Sequence, residues 1–148
     1  MGQWAKECQL PVQSHLSENM EEIAWVRELV PEAKHYGDAY NRHGLFGQTP
    51  TLMAHCCYTD GAELEMMAAN GVYAVHCPTS NVNIASGMAP VRRLLEKGVR
   101  VVLGTDVSGG HHMSVLRVIQ YAIQVSKPTS TESGGKTAFL SQSEAFYM

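Results

Sequence analysis

His15, His55, His76 and Asp106 each fall at or just beyond the end of a short β-branched run. Neutral imidazoles and a carboxylate brought together are the donor set of a zinc site, or of a site that holds a water and moves its protons. Glu18 follows His15 by three residues, in the order His-Leu-Ser-Glu. A carboxylate there could carry a proton across a site mouth to an amine that leaves poorly unless protonated. It could equally serve the positive end of the helix that follows. Each histidine also has a plainer reading, as an interior side chain held by hydrogen bonds. Recurrence of the same position on successive strands favours a site for His15, His55 and Asp106. For His76 both readings stay open, because it could simply orient the Pro78 to Asn81 loop.

The elements that would position these residues alternate, strand then helix, four times. The first strand, near Leu10 to Ser14, precedes a helix opened by Asn19 with Glu22 three residues on and stopped by Pro31. A polar link around Gly37 to Gly47 leads to a strand at Thr51 to Ala54, then a helix with Asp60 as cap, Glu63 as partner and Asn70-Gly71 as its end. The third strand, Val72 to Val75, passes through the Pro-Thr-Ser-Asn loop to a helix with Pro90 in its first turn and Gly98 as its stop. The fourth, Arg100 to Leu103, feeds the glycine-rich loop Gly104 to Gly110 and an amphipathic helix beginning at Ser114 and halted before Pro128. Such alternation predicts an α/β fold with a parallel sheet, in which the C-terminal strand ends share one edge and can deliver side chains into a common mouth.

The pattern divides the chain at about residue 128: 1–128 carries the βα units, and 129–148 is a loop followed by the start of a further helix at Ser141 and Glu144. That helix shows no surface to pack against, and WAKECQL at the other end reads as the last turn of a helix. Both ends therefore read as cuts through a larger domain.

The 148 residues are 45% hydrophobic with a net charge of -3, enough for one globular core and without the basic excess of a nucleic-acid binder. No apolar run approaches the roughly 20 residues that span a bilayer, and the charged N-terminus is unlike a signal peptide, which gives a cytoplasmic expectation. Cys8, Cys56, Cys57 and Cys77 lack a disulfide framework and are expected to be reduced and buried. His35, His43, His111 and His112 are expected at the surface, with His111 and His112 close enough to Asp106 for a place on the rim.

The segments SHLSEN (Ser14 to Asn19), MAHCC (Met53 to Cys57), HCPTSN (His76 to Asn81) and GTDVSGG (Gly104 to Gly110) resemble, in order and spacing, those of the guanine deaminases of the amidohydrolase superfamily, from about Pro11 to Lys127. The resemblance implies a partial TIM-type (β/α)8 metal-dependent hydrolase barrel, this chain supplying strands five to eight with their helices. It implies one zinc per site, with His15 and Asp106 as ligands, Asp106 also accepting a proton, and His55 either holding the nucleophilic water or ligating. Glu18 becomes the proton carrier to the purine ring and departing amine. His15, Leu16, Ser17, Glu18 and Asp106 would line the substrate. The reaction implied is the hydrolysis of guanine to xanthine and ammonia, with a homodimer expected for full-length relatives and a small purine, not nucleic acid or membrane, as partner.

The chain departs from that pattern in having no His-x-His pair, which supplies two more zinc ligands in the family, and no substrate-clamping arginine ahead of its first strand. It is therefore expected to be inactive alone unless a second polypeptide completes the barrel. Two other readings stay open: an aminohydrolase of the same group acting on a pterin, triazine or related ring, and a non-catalytic half barrel that self-associates through its open edges.

Overall fold

Local side-chain chemistry starts three of the helices where the sequence places them. In the computed structural model, which describes Met1–Met148, Asn19 accepts the N–H of Glu22 at 2.8 Å to open α2 (Met20–Leu29), and Asp60 accepts the N–H of Glu63 at 2.8 Å to open α4 (Gly61–Ala69). Gly71 takes φ +64° to turn the chain out of α4 into the next strand, a conformation that costs other residues more. A short α1 (Gly2–Glu7) precedes them all.

The strands β1 (Val12–Leu16), β2 (Thr51–His55), β3 (Tyr73–His76) and β4 (Arg100–Leu103) form one parallel sheet in sequence order. In register, Ser14 lies opposite Met53, Met53 opposite Ala74, and Ala74 opposite Val101. Alternate residues Leu16, Met53, Ala74 and Val101 face the helices and join Leu64 and Met67 of α4, Leu94 of α6 (Val91–Glu96) and Ala122 of α7 (Val115–Glu132) in one apolar core. Each fully enclosed leucine or methionine there contributes ~1.5–3 kcal/mol.

Several expectations are corrected. β1 begins two residues later than expected, which puts His15 inside the strand and leaves Leu10 exposed beside Pro11. The Gly37 to Gly47 link contains α3 (Tyr36–Arg42), whose apolar signal is aromatic: Tyr36 and Tyr40, one turn apart, stack at 5.5 Å, and Tyr40 stacks on Phe46 at 6.1 Å. The Pro78 to Asn81 loop is the first part of α5 (Pro78–Asn83), which proline starts well because its missing N–H lies in the unbonded first turn.

Helix α7 also continues through Pro128 to Glu132, so residues 129–132 are helical rather than loop. The carbonyl that Pro128 leaves unpaired belongs to exposed Gln124, where water can satisfy it, while Ser126 Oγ and Thr129 Oγ1 cap the Ile123 and Val125 carbonyls at 2.8 and 3.4 Å. The final helix α8 (Gln142–Tyr147), opened by a Ser141–Glu144 capping box, does have a surface to pack against: Leu140 and Ala145 are buried, and Arg92 of α6 holds Glu144 at 2.7 Å. All four cysteines are free, as expected, but Cys8 is exposed rather than buried. No helix is long and apolar enough to cross a membrane.

Candidate active site

Strand geometry brings His15, Glu18, His55 and Asp106 to the C-terminal edge of the sheet. On β1, Ser14 and Leu16 face the helices, so His15 projects from the opposite face and its ring is exposed. On β2, alternation would send His55 the way of Thr51 and Met53, toward the helices. Its backbone instead turns into the left-handed region, φ +73°, and the ring stands edge-on to His15 with centroids 4.9 Å apart. Ser17 at +48° and Asp106 at +44° share that conformation. Such residues cost of order 1 kcal/mol or more each and persist where the surroundings impose them, as at ligand sites.

His55 is the hub. Its Nδ1 lies 3.1 Å from Asn81 Nδ2 and 3.5 Å from Glu18 Oε1, and its Nε2 lies 4.0 Å from Asp106 Oδ2. With Nδ1 accepting from the Asn81 amide, Nε2 carries the proton, so His55 is set to donate toward the mouth. Burial holds the His55 pKa below its ordinary value, against the pull of Glu18 and Asp106, and keeps the ring neutral.

The cluster can hold a metal ion through His15 and a carboxylate, with His55 Nε2–H facing a water beside the ion rather than the ion itself. Ligand atoms of His15, Glu18 and His55 lie within 4.8 Å of one another, and His55 Nε2 and Glu18 Oε1 are buried without a hydrogen-bond partner. Buried polar atoms are rarely left so without a ligand or water to meet them. Asp106 approaches from the β4 side, and Gly109 makes room for it: a Cβ there would lie 2.8 Å from Asp106 Oδ2 and 2.6 Å from Ser80 Oγ. Glu18 faces His55, leaving the first turn of α2 to Glu21 and Glu22.

Two residues expected to line the substrate turn their side chains inward. Leu16 is fully buried in the helix-facing core, because period-two alternation places it opposite His15. Ser17 turns its hydroxyl inward to donate to Glu63 Oε2 at 2.9 Å. His76 lies on the helix side of the sheet with Ala74, outside the cluster, and burial pushes its pKa down to about 4. His35, expected at the surface, is half-buried and caps α3, while His43 is exposed. His111 and His112 pack with Tyr121 and take no part in the cluster.

Three residues outside the expected site orient these groups. Asn81 stands in HCPTSN yet holds His55; Glu22 Oε2 accepts the N–H of Glu18 at 2.9 Å; Tyr40 Oη donates to the His15 carbonyl at 3.0 Å. Only Glu22 had a local signal, its cap spacing from Asn19.

Comparison with known proteins adds the family context. The model of the amidohydrolase family matches residues 1–148. A guanine deaminase of Dictyostelium discoideum is 38% identical over 148 residues, all of this chain and 32% of that protein. The crystal structure of a guanine deaminase from C. acetobutylicum with guanine in its active site superposes with a TM-score of 0.97 at 54% identity, over 99% of this chain and 35% of that one. An adenosine deaminase from Xanthomonas campestris with bound zinc superposes with a TM-score of 0.77 at 25% identity, over 92% of this chain and 30% of that one. The chain thus spans about a third of the length of these proteins, and the four-stranded βα array corresponds to part of their barrel.

Proposed function

We propose, from the premise that this chain belongs to the amidohydrolase family, that it carries half of a zinc-dependent site for the hydrolytic deamination of guanine to xanthine and ammonia. The observation that carries this reading is the meeting of His15, Glu18 and His55 at one sheet edge, with Asp106 reaching the same imidazole. Similarity to guanine deaminases supports guanine as the ring. The four βα units, ending with α7 at Glu132, are read as strands five to eight of the barrel with their helices, and the residues after Glu132 as the segment that follows them.

His15 and Asp106 would hold the zinc, whose Lewis acidity makes a water nucleophilic near neutral pH. The protein's own groups manage the protons. A water oxygen adds to the amine-bearing ring carbon, and Asp106 accepts the proton that water sheds. His55 Nε2–H, fixed in direction by Asn81, donates to the incoming oxygen and orients it. Glu18, whose Oε1 has no other partner, protonates the ring, takes back a proton from the hydroxyl of the adduct and passes it to the amine, so that the C–N bond breaks with ammonia as leaving group, and the proton held by Asp106 restores Glu18. The His-x-His ligands that would complete the zinc set are not in this sequence, so catalysis requires a polypeptide that supplies them.

The test is ammonia release from guanine with added zinc, for this chain alone and mixed with a polypeptide carrying a His-x-His strand. Activity confined to the mixture and lowered ~10²–10⁴-fold by Glu18→Gln is expected. Folded, zinc-loaded mixture that leaves guanine untouched overturns guanine as substrate.

A further inference from the structure

Glu63 is a carboxylate in the interior, only 2% exposed, one turn into α4. Burying such a group costs several kcal/mol unless its oxygens are met. Its N–H is taken by Asp60, but its side chain does not return to cap Asp60 in the manner of a capping box. It reaches inward instead: Oε2 accepts from Ser17 Oγ at 2.9 Å, and Oε1 accepts from the N–H of Gly37 at 2.6 Å. A Cβ at residue 37 would lie 3.1 Å from that oxygen, so glycine there is what lets the backbone come so near. His35 Nδ1, 3.7 Å away, already accepts from the N–H of Asp38 and brings Glu63 no proton.

These contacts tie the exit of β1, the start of α3 and the first turn of α4 to one carboxylate. Ser17, at left-handed φ, is the residue immediately before Glu18, and its carbonyl accepts from the N–H of Tyr58 at 3.0 Å. An isolated serine has no reason to hold that conformation. Once its hydroxyl is anchored from below and its carbonyl from the β2 exit, the next side chain is directed at His55.

We propose that Glu63 is a positioning residue, which through Ser17 and Gly37 fixes the turn that aims Glu18 at His55. Its effect on turnover rests on the deaminase reading; its effect on the turn does not. An amide preserves the arrangement: Gln Oε1 would accept from Gly37, and Gln Nε2 would donate to Ser17 Oγ with the hydroxyl rotated. Methionine, of similar length, supplies neither contact.

The experiment compares Glu63→Gln, Glu63→Met and Ser17→Ala in this chain by residue-resolved hydrogen exchange. Ser17→Ala removes the link alone and serves if Glu63→Met fails to fold. In Ser17→Ala and Glu63→Met the amides of Glu18 and Tyr58 should exchange about tenfold faster or more, the effect of one lost buried hydrogen bond, with the distant amides of Val72 and Val99 unchanged. Glu63→Gln should stay near the parent. In a preparation that deaminates guanine, Ser17→Ala should lower kcat about tenfold with KM within about twofold, since orientation rather than binding is lost. Unchanged exchange at Glu18 and Tyr58, acceleration spread evenly over the molecule, or equal damage from Glu63→Gln and Glu63→Met would overturn the proposal. Local acceleration in protein that never deaminates guanine would support the positioning role and count against the substrate alone.

Discussion

His55 and Glu18 stand 3.5 Å apart, Nδ1 to Oε1, and the hydrogen bond that Nδ1 accepts comes from Asn81 instead. Glu18 is therefore held close to the imidazole without being consumed by it, which suits a group that must gain and lose a proton each cycle. Glu18→Gln keeps the shape and removes the titrating oxygen. Turnover of guanine should fall by ~10²–10⁴ with zinc content unchanged, read as ammonia release and metal analysis on the same sample. Zinc lost together with the rate would make Glu18 a ligand.

Gly109 allows the Asp106 carboxylate to lie where a methyl group would stand 2.8 Å from its Oδ2. Gly109→Ala should push that carboxylate aside and weaken zinc by about 10–100-fold, the scale on which displaced supports of a metal site act. Competition with a chromogenic chelator reads the affinity directly. Equal affinity in parent and variant would remove Asp106 from the zinc set.

His76 is enclosed, with its Nδ1 unpartnered, and burial lowers its pKa from an ordinary 6.5 to about 4. Below pH 6.5 the unfolded chain binds a proton there that the folded chain refuses until about pH 4. Stability is thus whole above pH 6.5, declines as pH falls, and has lost roughly 3 kcal/mol from this group by pH 4. Urea midpoints at pH 7, 5.5 and 4 should show that decline, and His76→Met should flatten it in part. His55, which burial also holds low, contributes to the slope that remains, as does the depressed carboxyl of Glu144. Identical slopes in parent and variant would mean that His76 reaches solvent.

What could be read from the sequence was what short spacings encode. The Asn19–Glu22, Asp60–Glu63 and Ser141–Glu144 caps act across three residues, and the structure forms each at the helix start expected of it. Helix α3 was hidden because its core-facing side chains are half-buried tyrosines with polar neighbours, and α7 was cut short because Pro128 sits on a face where water offsets the missing hydrogen bond. Within SHLSEN, the resemblance put Leu16 and Ser17 with the substrate, whereas strand alternation and a carboxylate 46 residues away turn both side chains inward. Asn81 reaches His55 across 26 residues, a pairing that no local pattern encodes.

The docking of α8 offers a contest between charge and burial. Arg92 binds Glu144 at 2.7 Å and the carbonyls of Ala138 and Phe139 at 3.3 and 3.2 Å, and its guanidinium holds the Glu144 carboxyl down to about 2. A depressed carboxylate contributes its stability above the ordinary carboxylate range and loses it as pH falls toward 2. Glu144 is 39% exposed, however, so water screens the pair and it is worth ~0–1 kcal/mol. Leu140, 2% exposed in the core beside α8, loses both transfer energy and packing on truncation, ~2–5 kcal/mol. Urea unfolding at pH 7 should therefore rank Leu140→Ala well below Glu144→Gln, with the Glu144→Gln penalty shrinking further in 1 M salt as screening removes what remains of the pair. The reverse order would mean that the ion pair, rather than the leucine before it, holds the C-terminal helix in place.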